Sequence, residues 1–127
     1  MFNSILAISI GAAIGAVGRW LLSLWLNKVF VYIPLGTLVA NLVGGYLIGV
    51  AFALFANHPS WSAEWRLLFI TGFLGGLTTF STFSIETVGL LQQEKWLWAA
   101  MQISLHVLGS LVMTLMGLAT VSYLKQS

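Results

Sequence analysis

Four apolar stretches, each long enough to cross a bilayer, follow one another along the chain with only short polar interruptions. A helix needs about 20 apolar residues to span the hydrocarbon core. The pattern predicts transmembrane helices at about 3–25, 33–55, 65–92 and 97–124. Asn27, Lys28 and Pro34 separate the first two. Asn57-His58-Pro59-Ser60 is a loop signal between the second and third, and Gln92-Gln93-Glu94-Lys95 divides the third from the fourth. Connections this short make consecutive helices antiparallel neighbours. Trp20, Trp25, Trp61, Trp65, Trp96 and Trp98 fall near these ends, as do Tyr32 and Tyr123. Such amphipathic rings prefer the headgroup level. No Lys or Arg precedes the first stretch, and it runs too long for a signal-peptide core, so it is read as a spanning helix.

Composition agrees with lipid as the solvent. Charged residues make up 6% of the chain and hydrophobic ones 59%, with a mean hydropathy of +0.97. Soluble domains carry about 25% charged residues. The expected architecture is one all-α, four-helix transmembrane domain over residues 1–127. There are no cysteines, so disulfide and thiolate chemistry are excluded. The net charge of +2 includes no basic cluster of the kind that binds nucleic acid. There is no nucleophile–base pair, metal cluster or phosphate loop with a lysine, which argues against an enzyme.

Charge distribution bears on assembly. With an even number of spans, one side of the membrane holds Arg66 and Lys125, and the other holds Lys28 and Lys95 with Arg19 toward it. Orientation follows a Lys/Arg bias in short loops, and here the sides nearly tie. Insertion in both directions and insertion under one weak bias therefore stand level. Two oppositely inserted copies would form a dimer about a two-fold axis in the membrane plane, the symmetry larger transporters build from inverted repeats. The chain has no convincing internal repeat. Gly11/Gly15, Gly45/Gly49 and Gly72/Gly76 form GxxxG pairs, a weak sign of dimerisation and a sound one of close helix packing.

The third span holds the most informative segment, from Gly72 through Gly75-Gly76-Leu77-Thr78-Thr79-Phe80-Ser81-Thr82-Phe83-Ser84. Glycines followed by threonines and serines make a poor continuous helix, which predicts a break near Gly75 to Thr79. Backbone freed at membrane depth must be buried in protein or face water or an ion. Its carbonyls suit a hard cation such as Na⁺, and Gly75 and Thr78 from two copies could enclose one; a packing kink is the competing reading. Phe80 and Phe83 share a face, and the positive edges of their rings can meet an anion, though two phenylalanines at this spacing are more often packing. Thr37 and Asn41 lie four apart in the second span, where the Asn41 NH₂ can donate to an anion or bond a neighbouring helix. Gln102, His106, Ser110 and Thr114 recur every four residues in the fourth span, a stripe that favours the wall of a wet pathway over helix glue. His106 has no second His or carboxylate near it in sequence with which to bind a metal. Arg19, about 10 Å from the end of its span at the helical rise, could draw anions into a vestibule. Glu86 is the only acid well inside a span, and serves either function or anchorage.

Taken together these residues resemble the CrcB/Fluc family of fluoride channels. The likeness covers the whole chain: Arg19 in a Gly-rich first helix, Asn41-Leu42-Val43-Gly44 in the second, and Gly75-Gly76-Leu77-Thr78-Thr79-Phe80-Ser81-Thr82-Phe83-Ser84 in the third. It implies passive fluoride export across a bacterial inner membrane by an antiparallel homodimer with two pores. It also implies a structural Na⁺ at the dimer centre, on the backbone oxygens of Gly75 and Thr78. Phe80, Phe83 and Asn41 correspond to pore residues, and Ser110 and Thr114 to the polar track of the fourth span. Thr37, Ser81, Glu86 and His106 join the expected pore set, His106 on a stripe where tyrosine is also familiar. The rival is a small dual-topology multidrug/proton antiporter, whose essential carboxylate is expected in the first span, where this chain has none. An accessory subunit without transport is a weaker rival, given the polar stripe.

Overall fold

The computed structural model describes residues 1–126, and all its regular structure is helical among them. Helix α1 covers Phe2–Leu26 and α2 covers Leu35–Asn57. The third span, Ala63–Gln92, is built in pieces. Its first half comprises α3 (Ala63–Arg66), a π-helical stretch Leu67–Leu74 and the single turn α4 (Gly75–Leu77). Its second half is α5 (Phe80–Gln92), and the fourth span is α6 (Trp96–Gln126). All four spans are long and apolar enough to cross a membrane. The expected bounds fall within two residues of these at every end.

Two close-packed pairs form the bundle. The first half of the third span lies along α1, and α6 lies along α2. The GxxxG glycines make both seams. A Cβ on Gly72 would sit 2.6 Å from the Ile8 carbonyl oxygen, and one on Gly76 2.6 Å from that of Ala12. On the other seam a Cβ on Gly45 would stand 2.9 Å from the Ser110 carbonyl oxygen, and Gly49 abuts the Thr114 carbonyl. Lipid gives no hydrophobic drive between helices, so dispersion at short backbone separation must supply the attraction. These glycines therefore act within one chain, as the close-packing reading of the motif requires.

The α1–α2 connection is tied by a side chain. Asn27 Oδ1 accepts from Gly36 N at 2.7 Å and Thr37 N at 3.3 Å, satisfying amides that begin α2. Aromatic clusters mark both ends of the bundle. Tyr32 stacks on Trp98 at 4.9 Å between centroids with the Lys95 ammonium 4.4 Å from the Tyr32 ring, and His58 stacks on Trp61 at 4.1 Å at the opposite end. Such belts belong at the two membrane–water interfaces.

Candidate functional site

The third span breaks at Thr78 and Thr79, inside the segment predicted from its glycines and threonines. Both residues are extended, with φ/ψ of −88°/155° and −151°/118°. The helical stretch resumes at Phe80, where the Thr79 hydroxyl caps it by accepting from Thr82 N at 3.1 Å. The preceding π-helical stretch was not expected. Its sequence, LLFITGFL, holds no breaker beyond Gly72, and the glycine is seated against α1 rather than at a turn.

The break rearranges backbone partners. In a continuous helix the Thr79 amide would bond the Gly75 carbonyl; here it donates to Asn41 Oδ1 at 2.8 Å. The Thr82 amide would bond the Thr78 carbonyl; it goes instead to the Thr79 hydroxyl. The Gly76 carbonyl, one position further on, accepts from Arg19 Nε at 3.0 Å. Gly75 and Thr78 thus lose the amides a helix would give their carbonyls. Oxygens of this kind suit a hard cation, so the backbone present fits the expected Na⁺. Among the described residues no group of three or more His, Cys, Asp or Glu could hold a metal.

Asn41 spans the break. Its Nδ2 donates to the Thr79 carbonyl at 3.1 Å and lies 3.0 Å from His106 Nδ1 on α6. Its amide therefore joins α2, the break and α6, the interhelical bonding that was one of its two expected roles. One turn away, Glu86 on α5 accepts from Thr37 Oγ1 at 2.7 Å and from Gln102 Nε2 at 3.0 Å. Thr37 and Gln102 are fully buried. Thr114 Oγ1 lies 2.8 Å from the Gly45 carbonyl oxygen and 3.0 Å from that of Ser110. Three of the four stripe residues thus bond across helices, as glue would.

Part of this network also walls a cavity of about 530 Å³, which Thr37, Glu86, Gln102 and Thr114 do not line. Asn41, Thr78, Phe80, Phe83, His106 and Ser110 are among its lining residues. The two phenylalanine rings lie 5.5 Å apart, and the Phe83 ring lies 4.7 Å from the His106 ring. The pair differs in burial: Phe83 is 8% exposed, whereas Phe80 is 76% exposed on the surface of the single chain. Ser81 is exposed beside the break, its hydroxyl 3.3 Å from that of Thr79. Arg19, expected at a vestibule, has its Nε committed to the Gly76 carbonyl. The Thr79 peptide and the Thr82 amide were not singled out from sequence. The signal for the Thr82 amide was local, a threonine directly before a helical run, which is the N-cap preference.

A bundle of bilayer-length helices with a broken span, and a largely apolar cavity beside the break that holds a few neutral polar groups, is the build of a multi-pass membrane transport protein. Sequence comparison narrows that class. The profile of the family described as CrcB-like protein, Camphor Resistance (CrcB), matches residues 6–118. A protein of Tolumonas auensis named fluoride-specific ion channel FluC is 63% identical over the full length of both chains. Proteins of the same name from Nitrosomonas europaea and Pseudomonas aeruginosa are 57% identical over all of each chain and 60% identical over 98% of each. The chain belongs to the CrcB family, a family of membrane ion channels and not of enzymes.

Proposed function

We propose that this protein is a fluoride-specific channel that lets the anion leave the cell passively. The observation that carries the reading is the cavity at the break, where phenylalanine rings stand beside neutral polar groups. Phe80, Phe83, His106 and Ser110 line it without a lysine or arginine. Conduction demands contacts strong enough to replace hydration and weak enough to release. Ring edges and neutral donors meet both demands, whereas a buried cation would hold a small anion fast. The relatives named as fluoride-specific channels supply the identity of the ion.

Two copies in antiparallel orientation complete the proposal. The near-tie in loop charge removes the usual bias against such a pair. The exposed Phe80 and Gly75 give the break a face on the surface of the single chain, where a second break could meet it. Each copy would contribute one pore. Gly75 and Thr78 carbonyls of both would hold a central Na⁺, whose part is to satisfy freed backbone oxygens. Arg19 keeps one neighbouring carbonyl occupied and lends positive charge on the vestibule side. Glu86, held by Thr37 and Gln102, anchors α2, α5 and α6 around the pathway. Thr114 braces α2 against α6, and Ser81 stands at the exposed start of α5.

The test is single-channel or macroscopic current in planar bilayers under opposed fluoride and chloride gradients. The reversal potential should follow fluoride alone. A reversal potential that follows chloride, or a flux driven by a proton gradient, would overturn the reading.

A further inference from the structure

We infer that Asn41 sets the tautomer of His106, and so leaves the ring proton on Nε2 as a fixed, neutral donor buried behind the cavity wall. The inference rests on the proposed function for the identity of the anion and on geometry for everything else.

Two bonds fix the direction of the Asn41 amide. The Thr79 amide donates to Oδ1 at 2.8 Å, and Nδ2 donates to the Thr79 carbonyl at 3.1 Å. Turned over, the side chain would set oxygen against oxygen and NH₂ against N–H, so the network assigns one orientation. The second Nδ2 hydrogen then belongs to the contact with His106 Nδ1 at 3.0 Å. Nδ1 must accept there, so it is the unprotonated nitrogen. In a neutral imidazole the proton is left on Nε2. A doubly protonated ring would set donor against donor at the same contact.

Nε2 is buried and has no partner among the described residues. His106 is 5% exposed, lines the same cavity as Phe83, and lies within ring contact of it. A buried donor without an acceptor is costly, and one that persists calls for an explanation. In this conformation Nε2 is closed off from the cavity that the His106 ring lines, and a small anion that reaches it on a side-chain shift is the acceptor that fits, because a neutral N–H grips it without the pull of a full charge. Asn41 is then a positioning residue. It ties the ring's donor to the peptide that breaks the third span, so the break and the donor are set by one side chain.

The experiment is ¹⁵N solid-state NMR of the full-length protein in lipid vesicles, labelled at histidine, with His106→Gln used to separate its signals from those of His58. The wild type should show a protonated Nε2 and an imine-type Nδ1 at His106. Asn41→Asp presents only an acceptor to the ring and should move the proton to Nδ1. A protonated Nδ1 in the wild type would overturn the inference, and this readout stands even if the variant does not fold. An unchanged tautomer in folded Asn41→Asp would remove Asn41 from the role. Sodium fluoride should shift the Nε2 signal and sodium chloride should not. A wild type with the expected tautomer whose Nε2 ignores fluoride overturns the anion contact. Failure of the channel reading is distinct, because it shows as absent fluoride flux and leaves the tautomer untouched.

Discussion

Single side chains in this bundle answer for backbone and charge that lipid cannot satisfy. Arg19 takes the Gly76 carbonyl, Asn41 takes both the amide and the carbonyl of Thr79, and Thr37 and Gln102 hold Glu86. Removing one partner of a buried polar pair costs about 1–3 kcal/mol, because the other is left bare. Thr37→Val keeps the shape and removes a donor from Glu86, so it should lower stability by about that amount, read as the thermal unfolding of purified protein in detergent. Phe83→Ala and Phe80→Ala should instead leave assembly intact and cut fluoride efflux by roughly tenfold or more, about 1.4 kcal/mol of barrier for each factor of ten. A variant that conducts normally would remove that ring from the pathway. At this scale the sequence showed which residues were out of place in lipid and not whom they would meet. Asn41 was visible as the lone mid-span amide, but its partners lie 38 and 65 positions away. Nothing in local periodicity records such a pairing.

Elements fared better, because their causes are local. Runs of apolar residues fixed the four spans, and Pro34 and Asn57-His58-Pro59 marked the ends of α2. The break was legible because Gly75, Gly76, Thr78 and Thr79 each weaken a helix. The π-helical stretch was not, since it arises where the first half of the third span is drawn against α1. The glycine seams make a sharp test. Gly49→Ala places a Cβ against the backbone of Thr114 and Leu118, which cannot yield without parting α2 from α6. It should cost about 1–3 kcal/mol by overpacking. Gly89→Ala is the contrasting substitution, with no atom within 4 Å of the added carbon, and should stabilise α5 by about 0.5–1 kcal/mol. Paired thermal unfolding measurements check both; equal shifts would show that the seams tolerate separation.

At the scale of the whole molecule, the chain presents a bundle whose break and Phe80 open onto its own surface, and whose loop charges choose no side. If the working unit is an antiparallel pair, orientation becomes an experimental handle. Extra lysines in the loop between α2 and α3 should lock one orientation, and extra lysines between α5 and α6 the other. Each locked form alone should lose fluoride flux, and the two expressed together should restore it. Flux from one locked form alone would exclude the antiparallel pair. The claim beneath all of this is that the protein passes fluoride as a selective, charge-carrying channel. Liposomes loaded with fluoride and holding the purified protein, read by a fluoride electrode, test it most directly. The account predicts fast efflux that requires valinomycin to carry the compensating potassium, with chloride retained in a parallel preparation. Absence of efflux from folded protein, or efflux indifferent to valinomycin and equally open to chloride, would contradict it.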